Sequence, residues 1–180
     1  MTSKLKVNIL ADGGDNAIMT SNGSGTLTLN NAALKNTPAF LAFPSGNQTI
    51  SAGAFTKMNF ATEKYDTDSA FDTSTSLFTV PSGKAGKYFF YASVCWLNSS
   101  AWSGQYIMRL LAQRSGSDLS DNRGFGYHTG SEEGGTVQFS IDLAVGDTVQ
   151  FQAYHNSGAS RDTYESTGTN RFGGYRLIGA

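Results

Sequence analysis

The sequence predicts an all-β fold, an antiparallel sandwich of the jelly-roll type with about ten strands, preceded by a short extended arm. Three observations carry that prediction. Short runs alternating apolar and polar residues recur along the chain, each bounded by Gly, Pro, Asp or Ser, and none has a helical period. Residues 86–97 (GKYFFYASVCWL) are almost continuously apolar, as a strand buried on both faces would be. Aromatics make up 12% of the 180 residues and charged residues only 15%, with 21 glycines, which suits a turn-rich β domain and not a disordered chain.

The arm covers residues 1–37. Residues 4–10 alternate, Gly13 and Gly14 break the run, and residues 17–19 and 26–30 form further short runs around the glycine-rich stretch 21–25. These runs hold too few apolar residues for a core of their own, so the arm has to dock on its own domain, on sister chains or on a larger assembly. Asn36, Thr37 and Pro38 end it.

The head, residues 38–180, opens with a compact apolar strand at residues 39–43, closed by Pro44, Ser45 and Gly46. In residues 54–60 a regular strand would put Met58 and Phe60 on one face and Phe55 on the other, which implies a bend or a bulge. Residues 76–80 form the next strand and 86–97 the buried one. Residues 105–113 (QYIMRLLAQ) have helical propensity, but Gly104 and Gly116 bracket them and strands surround them, so they read as a strand. The polar, glycine-rich residues 117–133 read as loop or a short edge strand. Val137, Phe139, Ile141 and Leu143 alternate with Thr136, Gln138, Ser140 and Asp142, the pattern of a half-buried strand. A turn at Val145, Gly146 and Asp147 leads to its hairpin partner at residues 148–154. A polar loop, residues 156–170, and a last strand at 172–178 complete the order.

Composition excludes several classes. The net charge is −1 and no two of the 13 basic residues are adjacent, which is not a nucleic-acid-binding surface. No stretch approaches the roughly 20 apolar residues of a membrane span. Residues 1–6 lead into no apolar signal segment, and the lone cysteine, Cys95, reads as a buried small hydrophobe, so folding in a cytoplasm is expected.

Phe60, Asp66, Phe71, Phe78, Gly86, Tyr88 and Phe90 follow one another at a spacing that resembles the signature of the globular heads of complement component one-q and their tumour-necrosis-factor-like relatives. Residues 143–149 (LAVGDTV) resemble that family's turn before a late strand, and residues 172–177 (FGGYRL) resemble its closing strand. Two features depart from the pattern. The gap from Phe78 to Gly86 is longer than usual, and the last aromatic of the signature falls on Ala92, with Tyr91 one place early. The resemblance implies a jelly roll that assembles as a homotrimer with aromatics near the threefold axis. In that register Tyr88, Phe90, Phe151 and Tyr175 are expected near the subunit contacts, ordinary core being the alternative for each. The arm, in turn, resembles the N-terminal attachment segments of bacteriophage tail-fibre and virion proteins.

No catalytic chemistry is legible. His128 and His155, the only histidines, lack a metal-ligand spacing, and His155 is expected to be solvated at the start of a loop. No nucleophile elbow occurs, and Gly124-Phe125-Gly126 lacks the residues of a phosphate loop. Asp66, Asp68 and Asp72 form no Asp-x-Asp-x-Asp-Gly loop; although some complement-like heads bind calcium with loop acids, turn residues are the expected reading. No metal, cofactor or catalytic residue is therefore assigned. Recognition chemistry is assigned instead to three loops: Trp102 in the first, Arg123 and Tyr127 in the second, Arg161 and Tyr164 in the third. An aromatic ring flanked by hydrogen-bonding side chains suits a sugar or a docked protein, while Trp102 can equally pack inside its own domain.

The expected function is a non-enzymatic phage virion structural protein: a fibre, knob or capsid decoration. Its arm would dock on other virion proteins, and its trimeric head would meet a host cell-surface glycan or receptor. A bacterial lectin-like or adhesin module outside any virion is the alternative.

Overall fold

The computed structural model describes residues 7–29, 36–97, 102–129, 132–165 and 168–177. Residues 4–6 of the first expected arm strand, the polar residues 98–101 and position 178 of the expected last strand lie outside them. The described residues contain strands and turns and no helix, as the alternating pattern requires.

The arm holds β1 (Ile9–Ala11), β2 (Ala17–Ser21) and β3 (Leu27–Leu29), an antiparallel three-stranded sheet in that order. The head runs through β4 (Ala39–Phe43), β5 (Thr49–Ile50), β6 (Thr56–Lys57), β7 (Thr62–Asp66), β8 (Phe71–Asp72), β9 (Leu77–Thr79), β10 (Gly86–Trp96) and β11 (Gly104–Arg114). It continues with β12 (Ser117–His128), β13 (Glu133–Leu143), β14 (Thr148–His155), β15 (Arg161–Asp162) and β16 (Arg171–Arg176). One sheet has the order β13-β10-β16-β4-β7; the other has β12-β11-β14-β9-β8, with β6 also paired to β14. Apart from the hairpins β8-β9 and β11-β12 and the separate pair β5-β15, the chain passes back and forth between the two sheets, which is how a jelly roll is wound.

Aromatic rings fill the space between the sheets. Phe40 stacks on Phe71 at 4.7 Å and on Phe78 at 5.3 Å, and meets Phe172 edge-on at 5.0 Å. Phe60, Phe90 and Phe151 are fully buried around them. Each such side chain contributes about 1.5–3 kcal/mol from burial alone. In residues 54–60 only Thr56 and Lys57 form a strand paired with β14, without a bulge; Met58 and Phe60 are buried in the core and Phe55 is half-exposed, the two faces of plain alternation.

Residues 117–128 form a full-length strand where the sequence suggests a loop or a short edge strand. β12 spans Ser117–His128 and pairs with β11 from Gly104↔His128 to Arg114↔Ser117. Ser115 and Gly116, with φ of 50° and 80°, supply the two left-handed residues of a tight hairpin between them. Gly124 and Gly126 are not loop residues here. Their missing side chains leave the room that Met108 and Tyr106 fill across the pair. The turn at Val145-Gly146-Asp147 is held from within: Asp147, 1% exposed, accepts from the Ala144 amide at 2.7 Å and takes both guanidinium arms of Arg114 at 2.7 and 2.6 Å.

Candidate interaction surfaces

β10 divides its side chains between two faces. Tyr88, Phe90, Ala92, Val94 and Trp96 point into the core, while Phe89, Tyr91 and Cys95 stand half-buried on the outer side of the five-stranded sheet. The neighbouring strands extend that outer face. Tyr175 lies opposite Phe89 with ring centroids 5.6 Å apart, Tyr91 lies over Gly173, and Leu41 and Tyr65 are paired beside them. Burial pushes the Tyr91 hydroxyl pKa up, and the neighbouring Tyr65 hydroxyl adds to it. A concavity of about 210 Å³ lined by Phe89, Tyr91, Gln138 and Arg171 opens on this face, next to a second of about 330 Å³ along Cys95, Gly134, Gly135 and Arg171. Burial raises the Cys95 thiol pKa, with Glu132 reinforcing it.

This placement corrects the expected subunit contacts. Tyr88, Phe90 and Phe151 are wholly buried inside one chain and cannot touch another; only Tyr175 of the four stands outside. The physical reason is the two-residue period of a strand: a choice one residue out of step exchanges the faces. Tyr88 is committed to the core by its hydroxyl too, which donates to the Lys84 carbonyl at 2.5 Å, and burial pushes its pKa up to about 12. Ala92, where the signature has an aromatic, is inside and tightly buried, while Tyr91 is outside.

Trp102 belongs to the interior as well. It is 5% exposed, stacks on the His128 ring at 3.9 Å with planes 12° apart, and meets Trp96 edge-on at 5.8 Å. It is therefore not an exposed recognition residue. His155 is equally buried rather than solvated: Nε2 stands 3.0 Å from the Ile50 carbonyl and Nδ1 faces the Ser157 hydroxyl. Burial holds its pKa below the ordinary histidine value, and nearby Arg161 adds to the shift. Alternation along residues 148–154, carried one position further, was the signal that puts His155 inside with Phe151 and Ala153.

The other loop residues fall on separate parts of the head. Arg123 and Tyr127 share the outer face of β12, where Phe125 and Tyr127 are 62% and 63% exposed. Arg123 and Arg109 flank the Phe55 ring at 5.2 and 3.9 Å and both pair with Asp121. Arg161 instead stands over Trp102 at 5.7 Å, with Nε donating to Ser157, and Tyr164 follows β15 at the surface. Asp66 accepts from the Phe71 amide at 2.8 Å, and Asp68 pairs with Lys84 at 2.9 Å. Among the described residues no three His, Cys, Asp or Glu side chains come together as a metal cluster.

No family model matches the sequence, and no curated protein is similar to it. Solved structures are similar to its fold. The globular domain of a zebrafish complement 1qA protein superposes with a TM-score of 0.52 at 21% identity, over 78% of this chain and 98% of that one. Murine APRIL at pH 5.0 gives 0.58 at 12% identity, over 77% of this chain and 98% of its own. Eiger, a tumour necrosis factor from S. frugiperda, gives 0.51 at 16% identity, over 79% and 92%. At these identities the likeness is one of architecture: the head has the jelly-roll fold of complement one-q and tumour-necrosis-factor-like domains.

Proposed function

We propose that the chain is a non-enzymatic structural protein of a phage virion, displayed as a homotrimer through its head and attached to the particle through its arm. The observation that carries the trimer is the outer face of the five-stranded sheet, where Leu41, Tyr65, Phe89, Tyr91 and Tyr175 lie together on one side. Aromatics gathered on a flat sheet face are what a homo-oligomer interface uses, and the fold likeness agrees with the compact trimer implied by the sequence signature. The virion role is supported by the arm's resemblance to phage attachment segments. Three heads held together would raise apparent affinity for a host surface without any new contact per site.

Light scattering on the purified chain tests the trimer: a mass three times 19.2 kDa is expected, and a monomer overturns it. Deleting residues 1–37 should leave the trimer intact and abolish incorporation into particles; normal incorporation overturns the arm's role. The exposed Phe125 and Tyr127 favour a second reading, a sugar- or protein-binding module outside a virion. Selective glycan binding that is lost in Tyr127→Ala would support it.

A further inference from the structure

We propose that the arm's three-stranded sheet is a subunit-association element whose occupant is the same sheet of two sister chains, giving a three-sided stalk beneath the head. The inference rests on the trimeric reading and adds a second interface to it. Cross-strand register aligns Leu10, Met19 and Leu29 on one face, and Leu27 joins them two residues from Leu29. The other face is less apolar, since Thr20 and Thr28 stand there beside Ile9 and Ile18, although those two are also exposed. On the first face Leu10 is 46% and Leu27 62% exposed, and with Val7 and Met19 they line a shallow cleft. Among the described residues the three strands pair only with one another.

Each sheet is nonetheless shaped before any partner arrives. Asp12 accepts from the amides of Gly14 and Asn16 at 2.9 and 3.0 Å, closing the first turn. Asn22 closes the second by accepting from Ser24 and Thr26 at 2.8 and 3.1 Å. Such side-chain-closed turns set the register locally, so what is missing is a cover for the more apolar face.

Size selects the occupant. Three strands of three, five and three residues, about 4.8 Å apart, present on the order of 170 Å² per face. A free-standing protein partner needs about 800 Å² per side. One face is therefore too small to recruit an unlinked protein on its own and large enough for a tethered one, so the particle would be met by three assembled arms and not by a single one. Nine residues separate Leu29, the end of β3, from Ala39, the first strand residue of the head, a reach of at most about 35 Å. Three heads sharing one axis thus hold three arms at an effective concentration of roughly millimolar order, which removes most of the association cost.

Disulfide trapping in the full chain tests this. Leu27→Cys and Ile18→Cys are each made in a Cys95→Ser background, checked by light scattering, then mildly oxidised. Leu27→Cys should form interchain disulfides whose yield does not change on dilution, and Ile18→Cys, on the opposite face, should not. A monomeric mass overturns the trimeric reading and this inference with it. A trimeric mass overturns the inference alone if Leu27→Cys fails to crosslink, if Ile18→Cys crosslinks as readily, or if the yield falls on dilution.

Discussion

Gly173 lies beneath the ring of Tyr91: a Cβ at position 173 would stand 2.6 Å from the ring's Cζ and Oη. The next residue, Gly174, does the same for the buried Phe90 on the other side of the sheet. Two adjacent glycines therefore serve two opposite faces, one of them the core and one the proposed interface.

Gly173→Ala and Gly174→Ala should separate in their effects. Tyr91 is half-exposed and can swing away, so Gly173→Ala should leave a folded head, destabilised by about 1 kcal/mol, that no longer keeps its trimeric mass. Phe90 cannot move, so Gly174→Ala should cost about 1–3 kcal/mol through overpacking. Denaturant midpoints and light scattering on both variants check this. Equal midpoints with unchanged mass in both would contradict the assignment of faces.

Replacing Trp102 should act on stability and not on recognition. Trp102→Ala removes a ring packed between His128 and Trp96, and should cost about 3–5 kcal/mol. Tyr127→Ala, at an exposed position, should fall within about 0.5 kcal/mol of the parent. Urea unfolding followed by circular dichroism distinguishes them, and a Trp102→Ala variant as stable as the parent would show that the ring is not core.

Acid should loosen the head before its carboxylates titrate. His155 has a folded-state pKa below 6.5, so on acidification the unfolded chain binds the proton first. Its stabilising contribution is complete above about pH 6.5 and is lost as the pH falls towards the depressed folded pKa. Asp68, Asp121 and Asp147 have pKa values lowered from 3.8, so their contributions are lost only at still lower pH. Unfolding midpoints measured between pH 7.5 and 5 should fall for the parent and stay flatter for His155→Gln. Parallel curves would remove His155 as the cause.

Alternation in the sequence was informative where polar residues separate the apolar ones. Val137, Phe139 and Leu143 are buried and Ile141 packs against them, as their spacing predicts. The same logic failed at residues 88–91, where four consecutive aromatics leave both faces equally apolar and nothing local says which pair faces in. The answer lies in the partner strand, since Gly173 and Gly174 make room on either side. β12 was hidden for a related reason. Its inward positions include Gly124 and Gly126, so it reads as loop until Met108 and Tyr106 are placed over them. His155 and Trp102 were hidden because polar or amphipathic types sit where the strand period, or the neighbouring rings, put core.

β16 lies between β10 and β4, in the middle of its sheet, yet every other described strand is translated before it. Until residues 171–176 leave the ribosome, the sheet exists only as two halves, β13 with β10 and β4 with β7. The nascent head must therefore wait with its aromatic interior open to solvent, a stage at which chaperones, crowding and synthesis rate bear on yield more than the stability of the finished fold does.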